Sequence, residues 1–180
     1  SNIQSGELIG ANAFLNGVVL KVSKRYQRPT SQKVKAYRSE KVKKYDAAND
    51  KTYYETKYKK TQYLKYSGFN EVVISFQFKL ISAETGRILL SETVEEKIQD
   101  KVEYATYSGN YKQLVPGHWK NISTASAEDK VSSNRSEKSN LKSLFTARQK
   151  LNSSSSMQRS IQNKIAKSMA RKIINFNPEQ

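Results

Sequence analysis

Residues 71–91 read EVVISFQFKLISAETGRILLS, and this stretch decides the fold. Every second residue of its first half is apolar: Val72, Ile74, Phe76, Phe78 and Leu80. This period of two is typical of a β-strand with one buried face. The residues AETG at 83–86 indicate a turn, because Gly86 readily adopts the positive φ that such turns often need. We therefore expect an antiparallel hairpin with strands over residues 71–82 and 87–98.

Two further segments complete the predicted core. Residues 10–22 read GANAFLNGVVLKV and indicate a strand over 14–22 after a short helical approach over 7–13. Residues 157–175 indicate an amphipathic helix that ends before Pro178. Its apolar face carries Ile165, Ala166, Met169, Ala170 and Ile173. The sequence therefore predicts an α+β fold in which a C-terminal amphipathic helix packs on a sheet.

Two long segments interrupt this core and are predicted to be insertions in a single domain spanning residues 1–180. The first, residues 24–66, has the turn residues DAAND at 46–50 and is predicted to form a long β-hairpin rich in Lys and Tyr. The second, residues 104–156, is predicted to be irregular apart from a short helix over 141–151. An isolated two-stranded ribbon is marginal in water, so we expect the first insertion to pack against the domain or a partner.

The positive charge of the chain is concentrated in the first insertion. The whole chain has a formal net charge of +16. Residues 24–66 hold 14 basic and 4 acidic residues, whereas residues 69–103 hold 4 basic and 7 acidic ones. A basic segment of this kind attracts polyanions of any class, whether nucleic acid, acidic glycan or anionic lipid. The chain has no cysteine, which excludes disulfides and thiolate metal sites.

The core segments together resemble a known family. Residues 10–19, GANAFLNGVV, and residues 78–89, FKLISAETGRIL, are similar to two strand motifs of the curli-secretion-channel lipoprotein (CsgG-like) family. The resemblance covers residues 10–22 and 71–98 and, more loosely, the helix from Met157. It implies an α/β domain in which a small mixed sheet packs against helices, in a lipoprotein of the bacterial cell envelope.

The secretion channel of that family crosses the membrane with hairpins placed where this chain has its two insertions. A membrane hairpin needs lipid-facing apolar residues at alternating positions, whereas residues 33–41 read KVKAYRSEK. An Arg or Lys at bilayer depth costs about 2–4 kcal/mol. We therefore expect a non-enzymatic periplasmic or outer-membrane-associated relative with a role in assembly, secretion or scaffolding. Because the chain begins Ser-Asn without an initiator Met, we expect a targeting segment to precede it. The resemblance implies that this segment is an export signal with a lipid anchor.

The first insertion supplies the candidate binding residues. Aromatic rings can stack on bases or sugars while lysines pair with phosphate or carboxylate groups. The residues predicted to bind an acidic polymer (glycan or nucleic acid) or an envelope protein are Tyr53, Tyr54, Lys57, Tyr58, Lys59, Lys60 and Tyr63. The alternative is a solvated ribbon whose tyrosines shield one another and whose lysines prevent edge aggregation. A second functional interpretation is a nucleic-acid-binding protein that uses the same ribbon, and either function is compatible with a homo-oligomer.

No catalytic or metal site is predicted. The serine run at 153–156 has no nearby His-Asp constellation and no nucleophile elbow, and the isolated glycines form no phosphate loop. His118 and Trp119 are interpreted as a loop anchored by the Trp, because one histidine cannot make a zinc site without carboxylates. The remaining candidates for acid–base chemistry or cation binding, interpreted as a solvent-facing strand edge, are Glu92, Glu95, Glu96 and Asp100. The sequence therefore predicts no enzyme activity and no cofactor.

Overall fold

The computed structural model describes residues 12–176, which form a five-stranded antiparallel sheet and two helices. The strands are β1 (Ala13–Asp46), β2 (Lys51–Ser82), β3 (Ile88–Thr106), β4 (Leu114–His118) and β5 (Lys130–Val131), and the helices are α1 (Arg135–Thr146) and α2 (Ser154–Ile174). The strand order is β3-β2-β1-β4-β5. The fold is α+β, as predicted, but the sheet is antiparallel where the resemblance implied a mixed one. Short turns join β1 to β2 and β2 to β3, whereas parallel neighbours need a crossover of about a dozen residues or more.

The strands β1 and β2 are far longer than the predicted ones. β1 has 34 residues and β2 has 32, so residues 24–66 are the far part of one continuous hairpin rather than an insertion between core strands. The predicted turn is confirmed. The Asp46 carboxylate accepts hydrogen bonds from Ala48 N at 3.0 Å and Asn49 Nδ2 at 2.9 Å, and Asp50 has a φ of 49°.

The second hairpin joins β2 to β3 through the AETG turn. Ser82 N donates to Arg87 O at 2.8 Å, and Gly86 N donates to Ser82 O at 3.0 Å. Gly86 has a φ of 67°, which a residue with a Cβ adopts only with strain. This predicted hairpin is confirmed, and β3 runs past residue 98 as far as Thr106.

The described residues divide into two compact units, each with its own core. The first unit draws on residues 12–26, 70–100 and 152–176. Its buried cluster joins β2, β3 and α2 and consists of Val72, Ile74, Phe78, Val94, Met157, Ile161 and Ile165. α2 begins where the Ser153 hydroxyl accepts a hydrogen bond from Ser156 N at 3.2 Å. The apolar stripe of α2 therefore contributes three residues to the core of this unit.

The second unit draws on residues 27–69 and 101–151. Adjacent residues of β1 enter different clusters here, because side chains alternate along a strand. One cluster consists of Ala36, Tyr63, Ala105, Leu114 and Leu141, and the other consists of Tyr37, Val115 and Trp119. The unit therefore buries apolar side chains from both faces of β1.

The segment predicted to be irregular contains regular structure. Within residues 104–156 lie the end of β3, a 3₁₀ turn at Tyr111–Gln113, β4, β5 and α1. α1 begins well before the predicted start at residue 141 because Asn134 caps it. Asn134 Oδ1 accepts a hydrogen bond from Ser136 N at 2.8 Å. The prediction missed this cap and the two short strands.

Two predictions fall outside the described residues. The helical approach over residues 7–13 lies there except for its last two positions, of which Ala13 is the first residue of β1. The position of Pro178 also lies there. Within residues 12–176, neither helix combines the length and the apolar character needed to cross a membrane.

Candidate binding site on the first hairpin

The far half of the β1–β2 hairpin has two chemically different faces. Lys44 Nζ lies 2.6 Å from Glu55 Oε2, and Lys59 Nζ lies 2.8 Å from Glu40 Oε2. These contacts put even-numbered residues of β1 on the same side as odd-numbered residues of β2, because side chains alternate along each strand. The face with both ion pairs, the paired face, carries Glu40, Lys44, Tyr53, Glu55, Lys57 and Lys59. The opposite face, the tyrosine face, carries Lys41, Lys43, Tyr45, Tyr54 and Tyr58.

The carboxylates of the paired face are matched by neighbouring ammonium groups. A hydrogen bond from Lys59 lowers the pKa of Glu40 below its usual value. A hydrogen bond from Lys44 does the same to the pKa of Glu55, and the charge of Lys57 adds to that effect. Both carboxylates are therefore ionised at neutral pH and cancel part of the positive charge on this face.

The tyrosine face exposes three aromatic rings. The exposed fraction is 63% for Tyr45, 65% for Tyr54 and 46% for Tyr58. Tyr54 and Tyr58 are four residues apart on one strand, which separates their Cα atoms by about 13 Å. Tyr45 OH donates a hydrogen bond to Asp50 Oδ1 at 2.5 Å, and this bond raises the pKa of Tyr45. The rings of Tyr54 and Tyr58 are thus presented on one side of one strand.

The lysines of the tyrosine face keep their charge uncancelled. Among the described residues, neither Lys41 nor Lys43 forms an ion pair with a carboxylate. On β2, this face also carries Thr52, which precedes Tyr54, and Thr56, which lies between Tyr54 and Tyr58. The tyrosine face therefore combines aromatic rings, hydroxyl groups and net positive charge.

Lys60 holds a loop of the second unit. Its side chain is 14% exposed, and Nζ lies 2.6 Å from Asp129 Oδ2. Nζ also donates to Asn121 O at 2.7 Å and to Thr124 O at 2.6 Å. An ammonium group has three donors, and here each has an acceptor. Lys60 is therefore occupied by the protein itself, although the sequence grouped it with the candidate binding residues.

Tyr63 is a core residue rather than an exposed one. It is buried in the cluster with Ala36 and Leu114. Its ring lies 5.7 Å from the ring of Phe145, measured between centroids, and burial raises the pKa of its hydroxyl. The prediction placed Tyr63 on the binding surface because the sequence does not show that α1 covers this part of β2.

The seven predicted binding residues therefore separate into three groups. Tyr54 and Tyr58 lie on the tyrosine face; Tyr53, Lys57 and Lys59 lie on the paired face; and Lys60 and Tyr63 contact the rest of the second unit. The prediction missed the β1 residues of the tyrosine face, Lys41, Lys43 and Tyr45. The signal was present, since the turn at 46–50 brings β1 beside β2 and alternation then assigns the faces.

Trp119, Glu92 and Glu96 have structural partners. Trp119 is buried, and its Nε1 donates to Ala36 O at 3.0 Å, so it anchors its loop. Glu92 accepts a hydrogen bond from Lys172 at 3.0 Å, and Glu96 accepts one from Ser168 at 3.2 Å. In the described part of the chain, no group of three or more His, Asp or Glu side chains is arranged to hold a metal ion.

Replacing Asp129 with Asn is expected to destabilise the protein near neutral pH. A hydrogen bond from Lys60 lowers the pKa of Asp129 below its ordinary value of 3.8. Because the folded-state pKa is lowered, the stabilisation is complete above the unfolded pKa and is lost as the pH falls through the folded pKa. Urea unfolding should therefore show a lower midpoint for Asp129→Asn at neutral pH, and the difference should shrink as the pH falls below the unfolded pKa of about 3.9.

The matched control is Glu128→Gln, which removes the neighbouring carboxylate. Its ion pair with Lys120 is 68% and 58% exposed, and exposed pairs of this kind contribute little to stability. A midpoint difference for Asp129→Asn that persists unchanged in acid would show that the carboxylate charge is not its source.

Comparison with known proteins identifies no relative. No protein-family model, curated protein or solved structure matches the chain. The function is therefore argued from the residues and their geometry.

Proposed function

We propose that this is a non-enzymatic binding protein that holds an acidic polymer on the tyrosine face of its first hairpin. The observation that carries the proposal is the separation of charges between the two faces. Glu40 and Glu55 lie on the paired face, whereas Lys41 and Lys43 have no carboxylate partner among the described residues. The tyrosine face therefore presents two lysines that have no carboxylate partner among the described residues, beside exposed aromatic rings, whereas Glu40 and Glu55 offset two of the three lysine charges of the paired face.

The chemistry of this face suits a repeating anionic ligand. Lysine side chains are flexible point charges that pair with phosphate or carboxylate without demanding one geometry. Exposed tyrosine rings stack on the flat faces of sugars or bases. The separation of about 13 Å between Tyr54 and Tyr58 spans more than one unit of a polymer. The tyrosine face thus favours an extended polymer over a single small ligand.

We place this function in the bacterial cell envelope, in a lipoprotein of the CsgG-like superfamily with a role in assembly, secretion or scaffolding. The support is the sequence resemblance over residues 10–22 and 71–98. Cell fractionation with and without an inhibitor of lipoprotein processing tests the setting. Recovery of the native protein in the cytosol, unaffected by the inhibitor, would contradict it.

The binding function is tested by titrating the protein with a polyuronate glycan at increasing salt. We expect the affinity to fall as salt rises, because bound polymer releases its counterions when lysines replace them. The double variant Lys41→Glu and Lys43→Glu should weaken binding at least about tenfold and flatten the salt dependence. Its control is Lys164→Glu with Lys167→Glu, which makes the same charge change on exposed positions of α2. Equal losses in both variants would show that net charge alone, and not the tyrosine face, attracts the polymer.

Nucleic acid is the second candidate for the same surface. The two exposed rings of Tyr54 and Tyr58 favour it, since base stacking on aromatic side chains is a general device for binding single strands. A competition between poly(dT) and a polyuronate of equal charge density separates the two ligands. Preference for poly(dT) would favour a nucleic-acid-binding protein, and preference for the glycan would favour the envelope function.

A further inference from the structure

The first half of β1 is an edge of the sheet. β2 lies on one side of it, and β4 pairs with β1 only at Ala36–Arg38. In the portion of the chain that the structure describes, no strand runs along the outer side of residues 13–26. Among the described residues, its outward backbone groups therefore have no strand partner, as at the edge of a sheet.

This edge is apolar on both faces. Six side chains, each between 45% and 54% exposed, are Phe14, Leu15, Val18, Val19, Leu20 and Val22. Natural edge strands are usually protected by charged residues or proline, yet Lys21 is the one charged residue between Ala13 and Val22. A contiguous exposed apolar patch on an open edge is typical of an interaction surface.

A groove follows the same edge on the side of α2. It has a volume of 320 Å³ and is lined by Val19, Val22, Ile74, Phe76, Ile165 and Met169, among others. The Phe76 ring lies over Gly17, where a Cβ would come within 2.3 Å of Phe76 Cζ. Gly17 therefore allows Phe76 to fill the middle of the edge, and the exposed side chains of Leu15 and Val19 lie on either side of that point along the strand.

We propose that a second copy of this chain pairs with the edge, antiparallel to it, with the two-fold axis at Gly17. In this register Phe14 faces Leu20 of the other copy on one face and Leu15 faces Val19 on the other, while Val18 faces Asn16. Lys21 faces the small Ala13 and reaches solvent at the end of the pairing.

Charge favours this arrangement over a parallel one. In the antiparallel pair, Lys21 and Lys24 of one copy lie at the opposite end from those of the other. In a parallel in-register pair, each lysine would lie opposite the same lysine of the other copy. Like charges directly opposite each other are destabilising. The separation of the lysines therefore favours the antiparallel direction, in which Phe14 meets Leu20 and Leu15 meets Val19.

The register is tested by charge exchange across the interface. We expect Leu15→Glu alone and Val19→Lys alone to abolish dimerisation in sedimentation experiments, because each places an unpaired charge against an apolar residue. The double variant, Leu15→Glu with Val19→Lys, should restore the dimer, because the introduced carboxylate of each copy then faces the introduced ammonium group of the other. The control Ile88→Glu changes another exposed apolar residue, on β3, and should leave the dimer intact.

The direction of the strands is tested by a distance. The chain has no cysteine, so Lys24→Cys accepts a single spin label. The antiparallel pair places the two labels about 45 Å apart, since about fourteen residues of extended strand separate them. A wild-type chain that stays monomeric at every concentration would overturn the proposal. A dimer with a short distance between labels, or one that the double variant does not restore, would also overturn it.

Discussion

Replacing Tyr54 and Tyr58 together with alanine is expected to weaken polyanion binding by at least about 30-fold. Stacking of one base on an aromatic side chain is worth about 1–3 kcal/mol, so two rings contribute about 2 kcal/mol or more. Tyr54 is 65% and Tyr58 46% exposed, and neither belongs to a buried cluster. The dissociation constant should therefore change while the unfolding midpoint stays the same, as measured by ligand titration and urea unfolding on the same samples.

The neighbouring residue supplies the control. Tyr53 is also exposed but lies on the paired face. Tyr53→Ala should change the dissociation constant by less than about twofold, whereas Tyr54→Ala alone should change it by about fivefold or more. Similar losses for the two single variants would mean that the ligand does not distinguish the faces, and the assignment of the site to the tyrosine face would then be wrong.

Replacing Ile161 with alanine is expected to destabilise the first unit by about 2–5 kcal/mol. Ile161 is fully buried and lies in the cluster with Val72 and Phe78. The change removes apolar atoms from water-free surroundings and leaves a cavity that a packed core fills only in part. Urea unfolding monitored by circular dichroism measures the loss, with the protein dilute enough to be monomeric.

An isoleucine-to-alanine substitution at the exposed end of α2 serves as the control, because it changes helix propensity without removing a buried side chain. Ile174 is the last residue of α2 and is 80% exposed. Ile174→Ala should change the free energy of unfolding by less than about 0.5 kcal/mol. If both variants lost stability equally, the packing of α2 against the strands would not be the source of the effect.

The hairpins of this fold could be predicted from local patterns. The alternation over residues 71–82, the turn at Gly86 and the turn at 46–50 each depend on a few adjacent residues. The helix α2 could be predicted for the same reason, since its apolar residues recur at helical spacing. These elements were therefore found from local signals, although the equally local cap of α1 at Asn134 was missed.

The extent of the strands could not be predicted in the same way. Residues 24–66 have few aliphatic side chains, and the charge-rich sequence between the two apolar stretches suggested a separate insertion. The hairpin is continuous because the backbone pairing of β1 with β2 extends through polar residues, and a ladder of hydrogen bonds does not require apolar side chains.

The roles of individual lysines and tyrosines also escaped prediction. Lys59 and Lys60 are adjacent, yet one pairs with Glu40 and the other with Asp129, 69 positions further along the chain. Tyr58 and Tyr63 lie five positions apart on β2, but of the two only Tyr63 meets the helix α1. Such contacts depend on residues distant in sequence, which composition and spacing do not reveal.

The length of the first hairpin imposes an order on its folding. Closing the four-residue turn after Asp46 costs little chain entropy, and each further pair of residues then adds to an existing ladder. The contact between Ala83 N and Asn12 O, at 3.0 Å, joins residues 71 positions apart and is reached late in such a sequence of steps. The polar tip of the hairpin, around residues 46–51, therefore forms early because its loop is short. The apolar residues 14–22 pair with β2 last. These residues therefore stay unpaired for most of the folding time. Aggregation competes with folding during this period.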